Sequence, residues 1–179
     1  MTSTSHSVAS PPAVIKASTL SGLCALLLIA DQVSKYLCTL YLELGLPVTV
    51  FPGFDLLLAH NSGAAFSFLH EAGGWQRWLL TGVSAVVSTL VVVWLWRLPR
   101  NQILLSLALT LVLAGALGNL CDRLLFGYVI DFISVYYGSW RFATFNVADS
   151  AISVGAVLLA LDVVRNGHGT AAEQGTAHD

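Results

Sequence analysis

The sequence predicts an all-α integral membrane protein: four transmembrane helices, with a small extramembrane β-cradle and a surface-lying loop on one side of the bilayer. Three observations carry this. The 179 residues are 56% hydrophobic and only 10% charged, whereas soluble domains carry about 25% charged residues. Mean hydropathy is +0.76. The chain has room for four apolar stretches of about 20 residues, the length that crosses a bilayer, with short connections between them.

Residues 1–15 are rich in Ser, Thr and Pro and lack the succession of charged, apolar and small residues that marks a removed signal peptide. They are expected to form a disordered tail. The membrane domain is expected over 16–165, with its first span at 17–40. That span is uncharged to Ala30 and then meets Asp31 and Lys35, four apart with the acid first, the favourable order for a helical ion pair. The pair either closes the helix where it leaves the membrane or orders the edge of a site. Between 43 and 74 the pattern changes: Pro47, Pro52, Gly53, Gly63, Gly73 and Gly74 exclude a long helix. Short runs at 48–51 and 54–58 read as strands lying on the bilayer surface. Asn61 follows them, its amide able both to donate and to accept, and Gly63 two residues on makes a turn an equally good reading.

The second span, 75–96, has nineteen uncharged residues between Arg77 and Arg97 and tryptophans at both ends (Trp75, Trp78, Trp94, Trp96). A turn at 97–101 is long enough only for an antiparallel return. The third span, 102–121, carries Ala114 and Gly118, a small-residue pair that lets another helix approach. Asn119, Asp122 and Arg123 arrive where it should meet the interface, and the adjacent Asp-Arg is expected to hold the helix end and the following loop. That loop, 123–144, contains Asp131 after a strand-like run and reads as a hairpin or a surface-lying segment. The fourth span, 145–164, has Asn146 and Asp149 one turn apart on one face. Asp149 lies near the helix N-terminus, which favours an anion. Residues 166–179 read as a second disordered tail.

An even number of spans puts both termini on one side with the 97–101 turn. Lys16, Arg97, Arg100 and Arg165 flank that side, and Arg77, Arg123 and Arg141 the other. This bias favours cytoplasmic termini, and Asn61, Asp122, Asp131, Asn146 and Asp149 then meet on the opposite face. Ionisable residues near a bilayer are costly and mark function by default. Two carboxylates in one site do not both ionise easily, so one can activate water while the other, protonated, polarises a carbonyl and protonates the leaving amine. The sequence has no GxSxG, HExxH or phosphate-binding glycine loop. Cys24, Cys38 and Cys121 read as buried small hydrophobes, and no His pair has metal-ligand spacing, so no metal and no cofactor are expected. A net charge of −2 gives no field for nucleic acid. A proton-coupled carrier would show repeat symmetry, which is absent, and a non-enzymatic membrane subunit would leave the meeting of acids unexplained.

Five ordered motifs then complete the pattern: Asp31-Gln-Val-Ser-Lys35, Asn61-Ser-Gly-Ala-Ala-Phe66, Gly118-Asn119-Leu-Cys-Asp122-Arg123, Val129-Ile-Asp131-Phe132 and Phe145-Asn146-Val-Ala-Asp149-Ser150. With them the chain resembles the bacterial lipoprotein signal peptidases, also called signal peptidase II, over roughly residues 20–160. The resemblance implies Asp131 and Asp149 as an aspartic dyad, with Asn61, Asn119, Asp122, Arg123 and Asn146 as polar supports. It implies a four-helix membrane protease with a periplasmic cradle, in the bacterial inner membrane, with both termini cytoplasmic. Its partners would be membrane lipids and diacylglyceryl-modified prolipoproteins, cut just before the lipid-bearing cysteine. A monomer is expected.

Overall fold

The computed structural model describes residues 14–63 and 75–175. Residues 1–13 and 176–179 of the two expected tails, and 64–74 of the expected cradle, lie outside the described residues. Helix α1 is Ala17–Tyr41, α2 Trp75–Arg97, α3 Ile103–Leu125 and α4 Val147–Gly175. Four stretches, Ala17–Tyr41, Arg77–Arg97, Ile103–Leu125 and Val147–Arg165, are long and apolar enough to cross a membrane. At one end, the Ile15 N–H donates to the Arg100 carbonyl at 3.1 Å, tying the approach to α1 to the α2–α3 turn. At the other end lies the sheet.

α3 packs against α1, α2 and α4 and is the most buried of the four. Its small residues explain how. A side chain on Gly115 would strike the Ala148 carbonyl, and one on Gly118 would come within 2.6 Å of an Asp31 carboxylate oxygen. On α4, a side chain at Gly155 would meet the Ala108 carbonyl at 2.8 Å. Close approach therefore rests on Gly115, Gly118 and Gly155, and the expected Ala114–Gly118 pair was only half of it. The other helices turn Leu26, Ile29, Val86, Leu90, Val157 and Leu161 outward, where lipid is their natural solvent.

Strands β1 (Pro47–Phe51), β2 (Phe54–Asn61), β3 (Val129–Tyr137) and β4 (Trp140–Arg141) form one antiparallel sheet in that order. This corrects the sequence reading in two places. The 123–144 segment forms the hairpin of its two readings, β3 against β4, and does not lie apart as a surface loop: its β-branched run also pairs with β2. β2 also runs three residues past the expected 58, so Asn61 ends a strand instead of sitting in a free turn. Gly53 (φ 93°) and Gly138 (φ 59°) make the hairpin corners, in backbone that side-chain-bearing residues avoid.

Two helix ends also differ from expectation. α3 continues four residues beyond 121, so Asp122 and Arg123 lie in its last two turns. Arg77 closes that end, donating to the carbonyls of Arg123 and Leu124 at 3.2 Å each. α4 runs on to Gly175, so 166–175, expected to be disordered, is helical. No proline follows Val147, and Ala171-Ala172-Glu173-Gln174 are strong helix formers.

Candidate active site

Asp131 is buried in β3, and each of its oxygens accepts a side-chain amide. Asn61 Nδ2 donates to Oδ2 at 2.9 Å and Asn146 Nδ2 to Oδ1 at 2.7 Å. The register explains the first bond: Ala59 faces Asp131 and Asn61 faces Val129, which makes Asn61 the diagonal neighbour on the same face of the sheet. Both amides are held the right way round. The Asn61 oxygen accepts the Gly63 N–H at 2.9 Å, and the Asn146 oxygen accepts the Asp149 N–H at 2.9 Å. A backbone N–H can only donate, so the NH2 groups must face the carboxylate.

The second acid sits in the first turn of α4, where Asn146 is the cap. Asn146 takes the Asp149 N–H, and Asp149 Oδ2 accepts the Asn146 N–H at 3.3 Å, a reciprocal capping arrangement. A further N–H of this turn, that of Ala148, is taken by Asp31 Oδ1 of α1 at 2.8 Å. Asp149 Oδ1 accepts Asn119 Nδ2 at 2.7 Å. Asn146 thus touches both acids, one through its side chain and one through its backbone.

Beneath them lies a buried ionic network. Lys35 Nζ reaches Asp31 Oδ2 at 2.8 Å, Asp122 Oδ2 at 2.9 Å and Asn119 Oδ1 at 3.1 Å, which uses all three of its protons. Asp122 also accepts the Ile130 N–H at 3.0 Å and so fixes the backbone beside Asp131. Gln32, which the sequence reading passed over, donates to Asp31 Oδ2 at 3.1 Å and to Asp122 Oδ1 at 3.0 Å. Its only sequence signal was its place next to Asp31.

The structure therefore brings Asp131, Asp149, Asn61, Asn119, Asn146, Asp122, Asp31 and Lys35 together. Arg123 departs from expectation. Among the described residues its guanidinium makes no fork to a carboxylate; it donates to the Asn119 carbonyl one turn back at 3.3 Å. The cause is its position on α3, which turns it away from Lys35 and into a cavity of about 290 Å³ between α2, α3 and α4. Arg123, Asn119 and Asp149 form the head of that cavity, and Val83, Val87, Ala116 and Ile152 form its apolar body. A second ionic cluster was also missed: Asp55 on β2 accepts Arg141 at 2.8 Å and Thr49 at 2.9 Å, and Arg141 also bonds Ser134. A lone acid in the apolar run Phe54-Asp55-Leu56-Leu57-Leu58 was the available signal.

Burial pushes the Asp131 carboxyl up to about 6, with the Asn61 bond opposing, the Asp149 charge adding, and Asn146 and Lys35 opposing again. An acid poised near neutrality beside a second acid is chemically able to share a proton with it and to act on both sides of a hydrolysis.

A sequence model of the family described as "Signal peptidase (SPase) II" matches residues 23–165. The chain is 51% identical over 143 residues to the lipoprotein signal peptidase of Hydrogenovibrio crunogenus, covering 80% of this chain and 83% of that one. It is 53% identical over 146 residues to that of Pseudomonas syringae pv. tomato, covering 80% and 84%. A bacterial membrane enzyme solved in meso at 1.9 Å superposes with a TM-score of 0.76 at 26% identity, over 86% of this chain and 97% of that one.

Proposed function

The chain belongs to the signal peptidase II family, and from that premise we propose that Asp131 and Asp149 are the catalytic dyad of an aspartic endopeptidase. The family removes signal peptides from prolipoproteins and works as a multi-pass bacterial membrane protease. One observation carries the finer reading: a single residue, Asn146, bonds both acids, the buried Asp131 and the half-buried Asp149, so their positions are locked to each other.

In this reading Asp131, pushed up to about 6, is the member that holds the shared proton. Asp149 takes the proton of a water that attacks the scissile carbonyl, and Asp131 polarises that carbonyl and protonates the departing amine. Asn61 and Asn146 hold Asp131, Asn119 and the α4 terminus hold Asp149, and Asp122 fixes the Ile130 backbone. Arg123 donates to the substrate backbone or to the developing oxyanion from the head of the cavity. The apolar body of that cavity suits a peptide whose acyl chains stay in the bilayer. The cut falls just before the lipid-bearing cysteine, on the periplasmic side, with both termini cytoplasmic, and the working unit is a monomer.

Purified protein in lipid should cleave a diacylglyceryl-modified prolipoprotein and leave its non-lipidated form intact. Equal turnover of the two would remove the lipid from the recognition. A periplasm-dependent reporter fused after Arg165 should stay silent, and activity there would turn the acids away from such a substrate.

A further inference from the structure

Each amide at this site serves its acid in only one orientation. For Asn61 and Asn146 a backbone N–H on the side-chain oxygen enforces it. Asn119 is different. Its oxygen receives Lys35 Nζ at 3.1 Å and Asn146 Nδ2 at 3.2 Å, while its Nδ2 gives the 2.7 Å bond to Asp149. An ammonium cannot accept. Turning the amide over would set NH2 against the ammonium and the oxygen against the Asp149 carboxylate, replacing two charge-assisted bonds with two repulsions.

We propose that Lys35 is a positioning residue of the dyad: its ammonium holds the Asn119 amide so that Nδ2 faces Asp149. The proposal rests on the dyad reading and extends it to a residue that makes no ion pair with either acid. A second route runs in parallel. Lys35 also holds Asp31, whose other oxygen takes the Ala148 N–H in the turn that carries Asp149. One buried cation thus reaches Asp149 through an amide and through the helix terminus. The tetrahedral ammonium serves three acceptors at 2.8, 2.9 and 3.1 Å, and a planar guanidinium cannot satisfy the same three. Neutralising Asp31 and Asp122 alone would not need the third bond, and a buried ion pair is often replaceable by neutral groups without loss of stability.

Two variants separate positioning from charge balance. Lys35→Arg keeps a cation between Asp31 and Asp122 but replaces the tetrahedral ammonium that serves the Asn119 oxygen with a planar fork. Lys35→Met with Asp122→Asn removes one charge of each sign, keeps the acceptor for the Ile130 N–H, and leaves the Asn119 oxygen without its ammonium. Both are measured for thermal unfolding in detergent and for kinetics on a lipidated prolipoprotein. The expected result for whichever folds is a kcat about 100-fold down with KM within about threefold, the scale of a misplaced reacting group. Adding Asn119→Ala to the Lys35→Met/Asp122→Asn pair should cost little more, because both changes act on one bond. Near-wild-type kcat in either folded variant overturns the proposal and reduces Lys35 to a counter-ion. Asp149→Asn is run alongside. If it retains turnover, the dyad reading itself fails; if it is dead while the Lys35 variants are fully active, only the role of Lys35 fails.

Discussion

Asp131 and Asp55 make an instructive pair. They lie on neighbouring strands of one ladder, Asp131 opposite Ala59 and Asp55 opposite Ser134, and each side chain is almost fully withdrawn from solvent, at 1% and 2% residue exposure. Each accepts two side-chain bonds. Yet burial drives Asp131 up to about 6, while Asp55 is held below the ordinary range by the Arg141 hydrogen bond against the opposing effect of burial. What differs is the weight of burial, the largest influence on Asp131 and second to the Arg141 bond at Asp55, and with it the donor. Two neutral amides fix where Asp131 points and leave its proton free to come and go. A guanidinium fixes the charge of Asp55 as well, and that acid becomes part of the frame, tying β1, β2, β3 and β4 together. A titratable acid in a rigid place is what general acid–base chemistry requires.

The largest expected contrast follows directly. Asp131→Asn and Asp149→Asn should each lose at least about 10³-fold in kcat while remaining folded and inserted, since neither acid alone can serve as both base and acid. Asp55→Asn should hold kcat within a few-fold and instead lower the melting temperature, because it loosens Arg141 and touches no reacting atom. Turnover in a folded Asp131→Asn protein, or a dead Asp55→Asn protein of normal stability, would erase the distinction between the two acids.

The sequence carried this contrast unevenly. The four spans were legible because an apolar run of helical length has one stable fate in lipid, and the acids stood out because charge there is costly. The pairing of β2 with β3 was not legible: it joins segments about seventy residues apart, and neither run states its partner. A turn and a site residue therefore stayed equally good readings of Asn61 until the strand beside it was known. The direction that Arg123 takes was not legible for a similar reason, since its neighbour Asp122 in sequence faces Lys35 while Arg123 faces the cavity. The bonding roles of Gln32 and Arg141 were not legible, because those roles exist only once distant elements meet them.

A second prediction makes Asp131 resemble Asp55. Asn61→Lys places a cation where a neutral amide stood. It should pull the Asp131 carboxyl down from about 6 and cut kcat about 100-fold near neutral pH, by removing the proton that the acid must supply. Asn61→Ala should act in the opposite sense, since the Asn61 bond lowers this group. The alkaline limb of the pH–rate profile should move to higher pH in Asn61→Ala and to lower pH in Asn61→Lys. Limbs that move together, or not at all, would mean that Asp131 is not the proton carrier.

The smallest effect is on stability, and it has opposite signs for the two acids. For Asp131 the unfolded value is near 3.8 and the folded value about 6. Between them the folded state binds more protons than the unfolded state, so this group's contribution is full below the lower value and is lost as pH rises through the upper one. Two pKa units set a ceiling of about 3 kcal/mol on that loss. For Asp55 the folded value is the lower of the two. Its contribution is present above the unfolded value and is lost as pH falls through the folded one. Thermal unfolding in detergent, compared between wild type and each variant across acidic to neutral pH, reports each acid together with its coupling to its neighbours, because uncoupled groups contribute to both curves. The wild-type minus Asp131→Asn difference should fall from about pH 4 to about pH 6. The wild-type minus Asp55→Asn difference should rise over the acid range and then stay level. Asn at position 131 also turns an NH2 toward one of the two amides that now donate to it, which shifts the first curve vertically but cannot give it a slope. A flat Asp131 difference would mean that its carboxyl titrates alike folded and unfolded, and the donor's charge would then no longer explain why one of these two buried acids is free to exchange its proton.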